Sequence, residues 1–304
     1  MNRAALPAVA ALAAALIGSA AMAAAPDCDR ACLKGVADGY FDALAAHDAA
    51  RLPAAPDVKF TENGERMKLG DGFWKTGGRA NYRVDLFEPE RGGIGVESVV
   101  NENGAPVLYV VRLKVVAGKI AEVETIVGRK GAYGDLWGPE NLKAPSRLFS
   151  MSIRPAEQDS RLTLMAAADG YFRAFETNGS PDYHPAPLIP GTERYENGVH
   201  TTNAKAGAFG PYTASEQFDR GLFKGAKIFD RRYPVVDLER GVVMSIVRFG
   251  PRVSRAGKLE APLVMEAFAV QRGQIQEIHA ILVARPPDSP TGWLSEDRHV
   301  ANGD

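Results

Sequence analysis

The sequence of 304 residues has almost no net charge, because 36 lysines and arginines stand against 37 aspartates and glutamates. A protein without an excess of positive charge lacks the electrostatic attraction that draws proteins to nucleic acid or to anionic membranes. No cluster of basic residues compensates for this. We therefore expect neither nucleic acid nor a membrane surface among the partners of the mature protein.

Long hydrophobic runs are also missing, apart from one at the N-terminus. Residues 4–25 form a run rich in alanine and leucine that follows Arg3 and ends in two A-x-A sites, closing at Ala23 and Ala25. A positive residue, an apolar core and a small-residue exit are typical of a secretory signal peptide, here residues 1–25. The pattern predicts a secreted or periplasmic protein. The run is also long enough for a single retained membrane anchor, which is the alternative.

Cysteine is scarce, with only Cys28 and Cys32 in the chain. In an exported protein such a pair is more often bridged than free, so we predict a disulfide that closes the start of the first helix. A metal-binding pair is the weaker interpretation, because no cysteine or histidine with ligand spacing lies nearby.

Several catalytic signatures are absent. The sequence has no His-Glu-x-x-His, no Gly-x-Ser-x-Gly, no phosphate-binding glycine loop and no dinucleotide fingerprint. These absences exclude the common signals of zinc peptidases, serine hydrolases and nucleotide-dependent enzymes. We therefore expect no metal and no cofactor.

The sequence does contain an internal repeat. Ala-Asp-Gly-Tyr-Phe occurs at residues 37–41 and again at residues 168–172. Apolar residues around each copy recur at i, i+3, i+4, i+7, i+8 and i+11, a spacing that places them on one face of an α-helix. These positions are Leu33, Val36, Ala37, Tyr40, Phe41 and Leu44 in the first copy, and Leu164, Ala167, Ala168, Tyr171, Phe172 and Phe175 in the second. A glycine in the middle of each helix indicates close backbone packing there. The chain therefore has two similar halves.

Each half continues with strand-like segments separated by turns. A helix followed by a series of antiparallel strands predicts an α+β unit with helices packed on one face of the sheet. We place the first domain at residues 27–130, a linker at 131–159, the second domain at 160–286 and a polar tail at 287–304. The second half has a longer loop around residues 201–217, which we expect to lie flexibly over its site.

The order of elements resembles the nuclear-transport-factor-2-like (NTF2-like) superfamily. Three phrases in the first half, Phe-Thr-Glu-Asn-Gly (60–64), Leu-Gly-Asp-Gly-Phe-Trp (69–74) and Arg-Leu-Lys-Val (112–115), look most like its SnoaL-like polyketide-cyclase branch. The resemblance covers residues 28–130 and 160–285. It implies two tandem cones, each a curved antiparallel sheet around a cavity, with the two sheets packed together as in superfamily dimers. The superfamily includes enzymes and binding modules, so the fold alone does not choose an activity.

The last strand of each half suggests where chemistry takes place. Glu277 and His279 lie on one strand face between isoleucines, and His279 replaces the Glu124 of the first half. A histidine beside a carboxylate transfers protons near neutral pH, so we predict His279 as the catalytic group and Glu277 as its partner. The alternative is that this face is merely the polar, solvated side of the sheet.

Other residues of the second half are predicted to line a substrate cavity. They are Tyr171, Glu196, His200, Tyr233 and Phe223. For His200 the alternative is an ordinary loop histidine.

These features predict an exported, cofactor-independent enzyme that catalyses elimination or dehydration, isomerisation or hydration. The expected substrate is a small, partly apolar molecule with a ring. The alternative is a non-catalytic module with the same tandem fold that binds a small ligand or a partner.

Overall fold

The computed structural model describes residues 28–203, 209–254 and 257–293. The predicted signal peptide, part of the long loop of the second half and most of the polar tail lie outside these residues. Within the described ranges, no helix has both the length and the apolar character needed to cross a membrane.

The first unit is a six-stranded sheet covered by one long helix. Its elements are α1 (Arg30–Ala45), β1 (Ala54–Glu62), β2 (Glu65–Met67), β3 (Gly77–Glu88), β4 (Gly93–Glu102), β5 (Ala105–Val116) and β6 (Lys119–Gly128). The strand order is β2-β1-β6-β5-β4-β3. Neighbouring strands are antiparallel except β1 and β6, the first and the last strand of the unit, which run parallel.

The second unit repeats this arrangement after a linker that contains the short helix α2 (Arg147–Ser150). Its elements are α3 (Arg161–Thr177), β7 (Leu188–Glu196), β8 (Val199–His200), α4 (Ala214–Asp219), β9 (Ile228–Asp237), β10 (Val242–Phe249), β11 (Arg252–Val253), β12 (Leu259–Glu260), β13 (Leu263–Gln271) and β14 (Gln274–Val283). The six-stranded sheet has the order β8-β7-β14-β13-β10-β9, and β11 and β12 form a separate hairpin. The predicted fold class, two tandem α+β units, is confirmed.

The long helices use the apolar stripe that the sequence predicts. Each begins with a capped first turn, in which the side chain of Asp29 or Ser160 accepts a backbone N–H. The stripe then packs on the inner face of the sheet, and Tyr40 and Tyr171 are fully buried at equivalent places. The expectation of close packing at both mid-helix glycines holds for Gly170 but is wrong for Gly39, because nothing lies near a Cβ placed on Gly39.

The outer faces of the two sheets pack against each other. Ile126 from β6 and Ile281 from β14 belong to one buried cluster between the sheets, together with Phe149 from the linker. The linker therefore lies along the domains and contributes to their packing. Each sheet is buried on both faces, by its own helix on one side and by the other sheet on the opposite side.

Polar contacts also join the units. Arg232 forms a bidentate ion pair with Glu124, at 2.9 and 2.6 Å, and the indole N–H of Trp293 donates to the Thr61 hydroxyl at 3.0 Å. At the N-terminal end, Cys28 and Cys32 form the predicted disulfide. Cys28 precedes the helix, which begins at Arg30, so the bridge joins the residue before the N-cap to the first helical turn.

Candidate functional site

The second unit has a cavity of about 300 Å³ at one end of its cone. Phenylalanines from the end of α3, from the two loops beside α4 and from the end of β10 form much of its wall. Among the described residues of the lining, Glu196, at the end of β7, is the only acidic one. A mostly apolar cavity with few polar groups is the common form of a small-molecule site.

A hairpin turn positions Glu196. The Glu-Asn-Gly sequence places Asn197 and Gly198 at positive φ angles of 48° and 77°, which a tight hairpin requires. The Asn197 side chain donates to the carbonyl oxygen of Leu282 at 3.0 Å and accepts the N–H of the same residue at 2.8 Å. These bonds tie the end of β7 to β14 and leave Glu196 facing the cavity. The same turn occurs in the first unit, where Asn63 binds Val127.

Arg194 is the centre of a buried polar network behind Glu196. Its guanidinium donates to the Tyr171 hydroxyl at 3.2 Å, to the Thr201 hydroxyl at 3.1 Å and to the amide oxygen of Gln217. It also lies 3.5 Å from the Glu196 carboxylate. Arg194 is only 1% exposed, so its charge needs these partners to be stable inside the protein.

Glu266, on β13, is a second buried carboxyl group beside this network. Burial raises its pKa to about 8, and the charge of Glu196 acts in the same direction, while Arg194 and the Tyr171 hydroxyl oppose the shift. One of its oxygens has no hydrogen-bond partner among the described residues. Glu266 is therefore a neutral acid at pH 7, next to a carboxylate that faces the cavity.

The equivalent interior of the first unit is filled by aromatic side chains. Tyr40 and Tyr109 share a hydrogen bond of 2.7 Å, and Phe73 stacks on Tyr109 with ring centroids 4.9 Å apart. Glu62, the counterpart of Glu196, accepts the backbone N–H of Phe73 at 2.8 Å. Burial raises the pKa of Glu62.

His279 and Glu277 lie elsewhere, between the two sheets. His279 Nδ1 is 2.9 Å from a Glu97 oxygen of the first unit, and its Nε2 is 2.9 Å from Glu277. Phe149 covers the ring, with centroids 4.3 Å apart. Burial alone lowers the pKa of His279, but the two carboxylates outweigh that effect and raise it to about 9. The strand face that was expected to line a pocket is instead covered by the other sheet, and these residues do not line the cavity.

The remaining predicted site residues divide between two regions. Glu196 and Phe223 line the cavity, and Tyr171 lies behind Glu196 in the buried network. His200 stacks on Tyr195 and contacts Glu193 at the sheet edge. Tyr233 donates to Asp169 of α3 at 2.7 Å. His200 and Tyr233 are not part of the cavity lining.

The sequence analysis missed Arg194 and Glu266, although a signal for both was present. The strand registers pair Thr61 with Glu124 and Tyr195 with His279, which makes Arg194 the counterpart of Phe60. Glu266 is likewise the counterpart of Tyr109, since each accepts the hydroxyl of a serine on the neighbouring strand through its carbonyl oxygen. Aligning the two repeats would have shown a charged residue at each aromatic position.

Other features of the described residues provide no comparable site. A groove of about 430 Å³ lies between the units. Its Arg30 and Asp237 are already bound to each other, at 2.9 Å for both contacts. Within the described ranges, no three histidine, cysteine or acidic residues are grouped so that they could hold a metal ion.

Comparison with known proteins identifies a family without an assigned activity. The model of the family described as "Domain of unknown function (DUF8021)" matches residues 26–127 and 157–282. No curated protein matches the chain.

Among solved structures, an NTF2-like protein of unknown function from Cytophaga hutchinsonii is 9% identical, with a TM-score of 0.28. It covers 33% of this chain and 92% of its own. An NTF-2 like protein of unknown function from Burkholderia xenovorans is 16% identical with a TM-score of 0.26, covering 32% of this chain and 82% of its own.

Proposed function

This chain belongs to the family described as Domain of unknown function (DUF8021), and we propose that its second unit is a cofactor-independent acid–base enzyme. The proposed reaction is elimination or dehydration, isomerisation or hydration of a small, ring-containing, partly apolar compound. The observation that carries the proposal is a pair of carboxyl groups, of which Glu196 lines the aromatic cavity and the buried Glu266 lies behind it.

The pair provides a proton acceptor and a neutral acid in one place. Burial raises the pKa of Glu266 to about 8, which favours its neutral form at pH 7. Pairs of titratable groups whose environments separate their pKa values are typical of acid–base sites. Arg194, 3.5 Å from Glu196, faces the negative charge and holds the carboxylate in place.

In the proposed reaction Glu196 takes a proton from a carbon atom of the substrate. In an isomerisation the same carboxyl group returns the proton to another carbon atom, so no external acid is consumed. In an elimination the electron pair of the broken C–H bond forms the new double bond, and the leaving group departs with the electron pair of its own bond to the neighbouring carbon atom and takes up the proton that Glu196 carries. The apolar wall beside Glu196 lowers the local dielectric constant and strengthens the interaction between Glu196 and Arg194.

Two wider assignments belong to the same proposal. We place the units in the SnoaL-like branch of the NTF2-like superfamily and the protein outside the cytoplasm. Mass spectrometry of the protein recovered outside the cytoplasm would support cleavage of the signal peptide if the mature chain begins at Ala24 or Pro26. An N-terminus that still carries residues 1–25 would favour the membrane anchor.

Binding without catalysis is the second candidate. It is favoured by the position of Glu266, which is 3% exposed and does not itself line the cavity. In that case the carboxyl pair would serve only to position a ligand.

Deuterium exchange tests catalysis without knowledge of the product. Wild-type protein is incubated in D₂O with a panel of cyclic ketones such as 2-tetralone, and the loss of C–H signals is followed by NMR. We expect exchange with at least one ketone. Glu196→Gln should slow that exchange by about 10²- to 10⁴-fold, the usual cost of removing a general base.

Glu62→Gln is the matched control, because it changes the equivalent carboxylate in the filled cone. Its exchange rate should stay within about twofold of the wild type, since the Glu62 carboxylate accepts the backbone N–H of Phe73 and does not line the cavity. Loss of exchange in Glu62→Gln alone would move the site to the first unit. Ketones that bind at the second-unit cavity but never exchange would favour the binding module.

A further inference from the structure

The wall of the second-unit cavity is suited to a flat ring. Phe223 lies 4.4 Å from Phe175 and 5.9 Å from Phe209, measured between ring centroids. Rings at these separations form a surface on which another aromatic ring stacks in an offset or edge-to-face arrangement. This wall forms the apolar part of the site.

The rim of the same cavity is cationic. Lys224, Lys227 and Arg252 line it, and all three are exposed to solvent. With Glu196 as the one acidic residue of the lining, three positive charges stand against one negative charge, which leaves two positive charges in excess. The whole chain, by contrast, has a net charge of −1.

The cations differ in their distance from the acidic group. The Lys224 stem runs beside the backbone of Gly179, just beyond the end of α3, whereas Glu196 meets Arg194 at the end of β7. Arg252 lies over the Tyr133 ring at 4.5 Å, and Arg252 and Glu196 act in opposite directions on the pKa of the Tyr133 hydroxyl. An anionic group of a ligand is attracted to the exposed cations of the rim.

We propose that the cavity takes a flat ring system bearing a carboxylate, with the ring against Phe223 and the carboxylate at Lys224, Lys227 and Arg252. The inference rests on the proposed use of this cavity but not on catalysis in it.

A pair of probes tests the ligand class. 2-Naphthoate and its neutral analogue 2-naphthamide have the same ring system and differ in charge, and calorimetry measures the binding of each. We expect the wild type to bind the acid about 10-fold more tightly than the amide at low salt, because three exposed cations each add a modest attraction. The preference should shrink at high salt.

Two sets of variants assign the preference to the rim and the wall. Lys224→Gln/Lys227→Gln/Arg252→Gln should bind acid and amide equally, with the affinity for the amide unchanged. The control Arg51→Gln/Lys68→Gln/Lys119→Gln removes the same charge from exposed positions of the first unit and should keep the preference. Phe223→Ala should weaken both probes. Phe223→Leu provides the same comparison with a smaller disturbance of the fold.

Equal affinity of the wild type for both probes would overturn the inference. So would a preference for the acid that survives the triple rim variant, or binding that ignores both Phe223 variants. Glu196→Gln separates this outcome from the catalytic proposal. This variant should lose deuterium exchange and still bind 2-naphthoate more tightly than the amide. The ligand class can therefore be correct when catalysis is not, and catalysis can be correct when the ligand class is not.

Discussion

The two units of this protein share a backbone plan but fill it differently. In the first, Phe60 and Tyr109 belong to an aromatic core in which Tyr109 bonds to the hydroxyl of Tyr40. In the second, Arg194 and Glu266 occupy the equivalent positions around Tyr171. The interior of the first unit is thus packed with aromatic rings, whereas the interior of the second is polar, because two aromatic residues in one copy are replaced by two charged residues in the other.

The difference extends to the loop that closes each cone. In the first unit Phe73 and Trp74 are buried in the short segment after β2. In the second, Gln217 from α4 is the buried closing residue, and it donates to the Thr201 carbonyl oxygen at 2.7 Å while it accepts from Arg194. The longer loop of the second half therefore provides the partners that a buried arginine requires. In this protein the buried arginine is accompanied by a longer loop that supplies its partners, whereas the buried aromatic rings of the first unit are closed by a short segment.

The largest expected effect comes from removing the charge at the centre of this difference. Arg194→Met should lower the free energy of unfolding by about 3–5 kcal/mol, because it leaves Glu196 without its ion-pair partner and Gln217 and Tyr171 without a donor. Phe60→Met, at the equivalent position, should cost less than about 1.5 kcal/mol as an apolar exchange of similar volume. Denaturant unfolding measures both. A smaller cost for Arg194→Met than for Phe60→Met would contradict the comparison.

His279 and Glu124 provide the next test, because they occupy equivalent positions between the sheets. The pKa of His279 is raised from 6.5 to about 9 in the folded protein. A raised histidine pKa contributes stability that is fully present below pH 6.5 and is lost as the pH rises to 9. The contribution is on the order of 3 kcal/mol.

Unfolding measured across that pH window should therefore show a loss of stability in the wild type that His279→Leu lacks. Glu124→Gln breaks the contact with Arg232 but keeps the histidine, so its pH dependence should match the wild type. A His279→Leu curve parallel to the wild-type curve would show that the two carboxylates do not hold the proton on His279.

A smaller effect is expected in the pH dependence of the proposed reaction. Above about pH 8 Glu266 ionises, and a buried carboxylate then lies behind the cavity. We expect the exchange rate of the wild type to fall by up to about tenfold per pH unit there, as the neutral acid is lost. Glu266→Gln should show no such fall, whereas Tyr109→Phe, at the equivalent place of the first unit, should behave like the wild type. A fall that persists in Glu266→Gln would assign it to another group.

The smallest effect concerns the mid-helix glycines. Gly39→Ala should raise the free energy of unfolding by about 1 kcal/mol, because nothing lies within 4 Å of the added Cβ. Gly170→Ala should gain less or lose stability, since its Cβ would meet Pro187 at 3.3 Å. Thermal unfolding of the two variants measures the difference. Equal gains would show that Pro187 moves aside without cost.

Comparing the repeats drew attention to the exchange of Glu124 for His279, and the structure places that strand face between the two sheets and not inside the cone. The exchange of Glu124 for His279 was visible in the sequence, and so was the exchange of Phe60 for Arg194. Alternation along a strand separates two faces but does not say which one looks into the cone. Here both faces are buried, one under a helix and one under the other sheet, so polarity alone could not distinguish them.

The sequence by itself determined the two-unit α+β plan, the helix stripes and the cysteine pair, because these depend on spacing along one chain. It also pointed to Glu196 and Phe223, on either side of the longer loop of the second half, and the structure places both in the lining of the second-unit cavity. Only the tertiary structure decided that His279 lies between the sheets and that Glu266 and Arg194 lie behind the cavity. Those positions depend on how one sheet faces another and on groups at least 70 residues apart in sequence, such as Glu196 and Glu266, which local periodicity does not record.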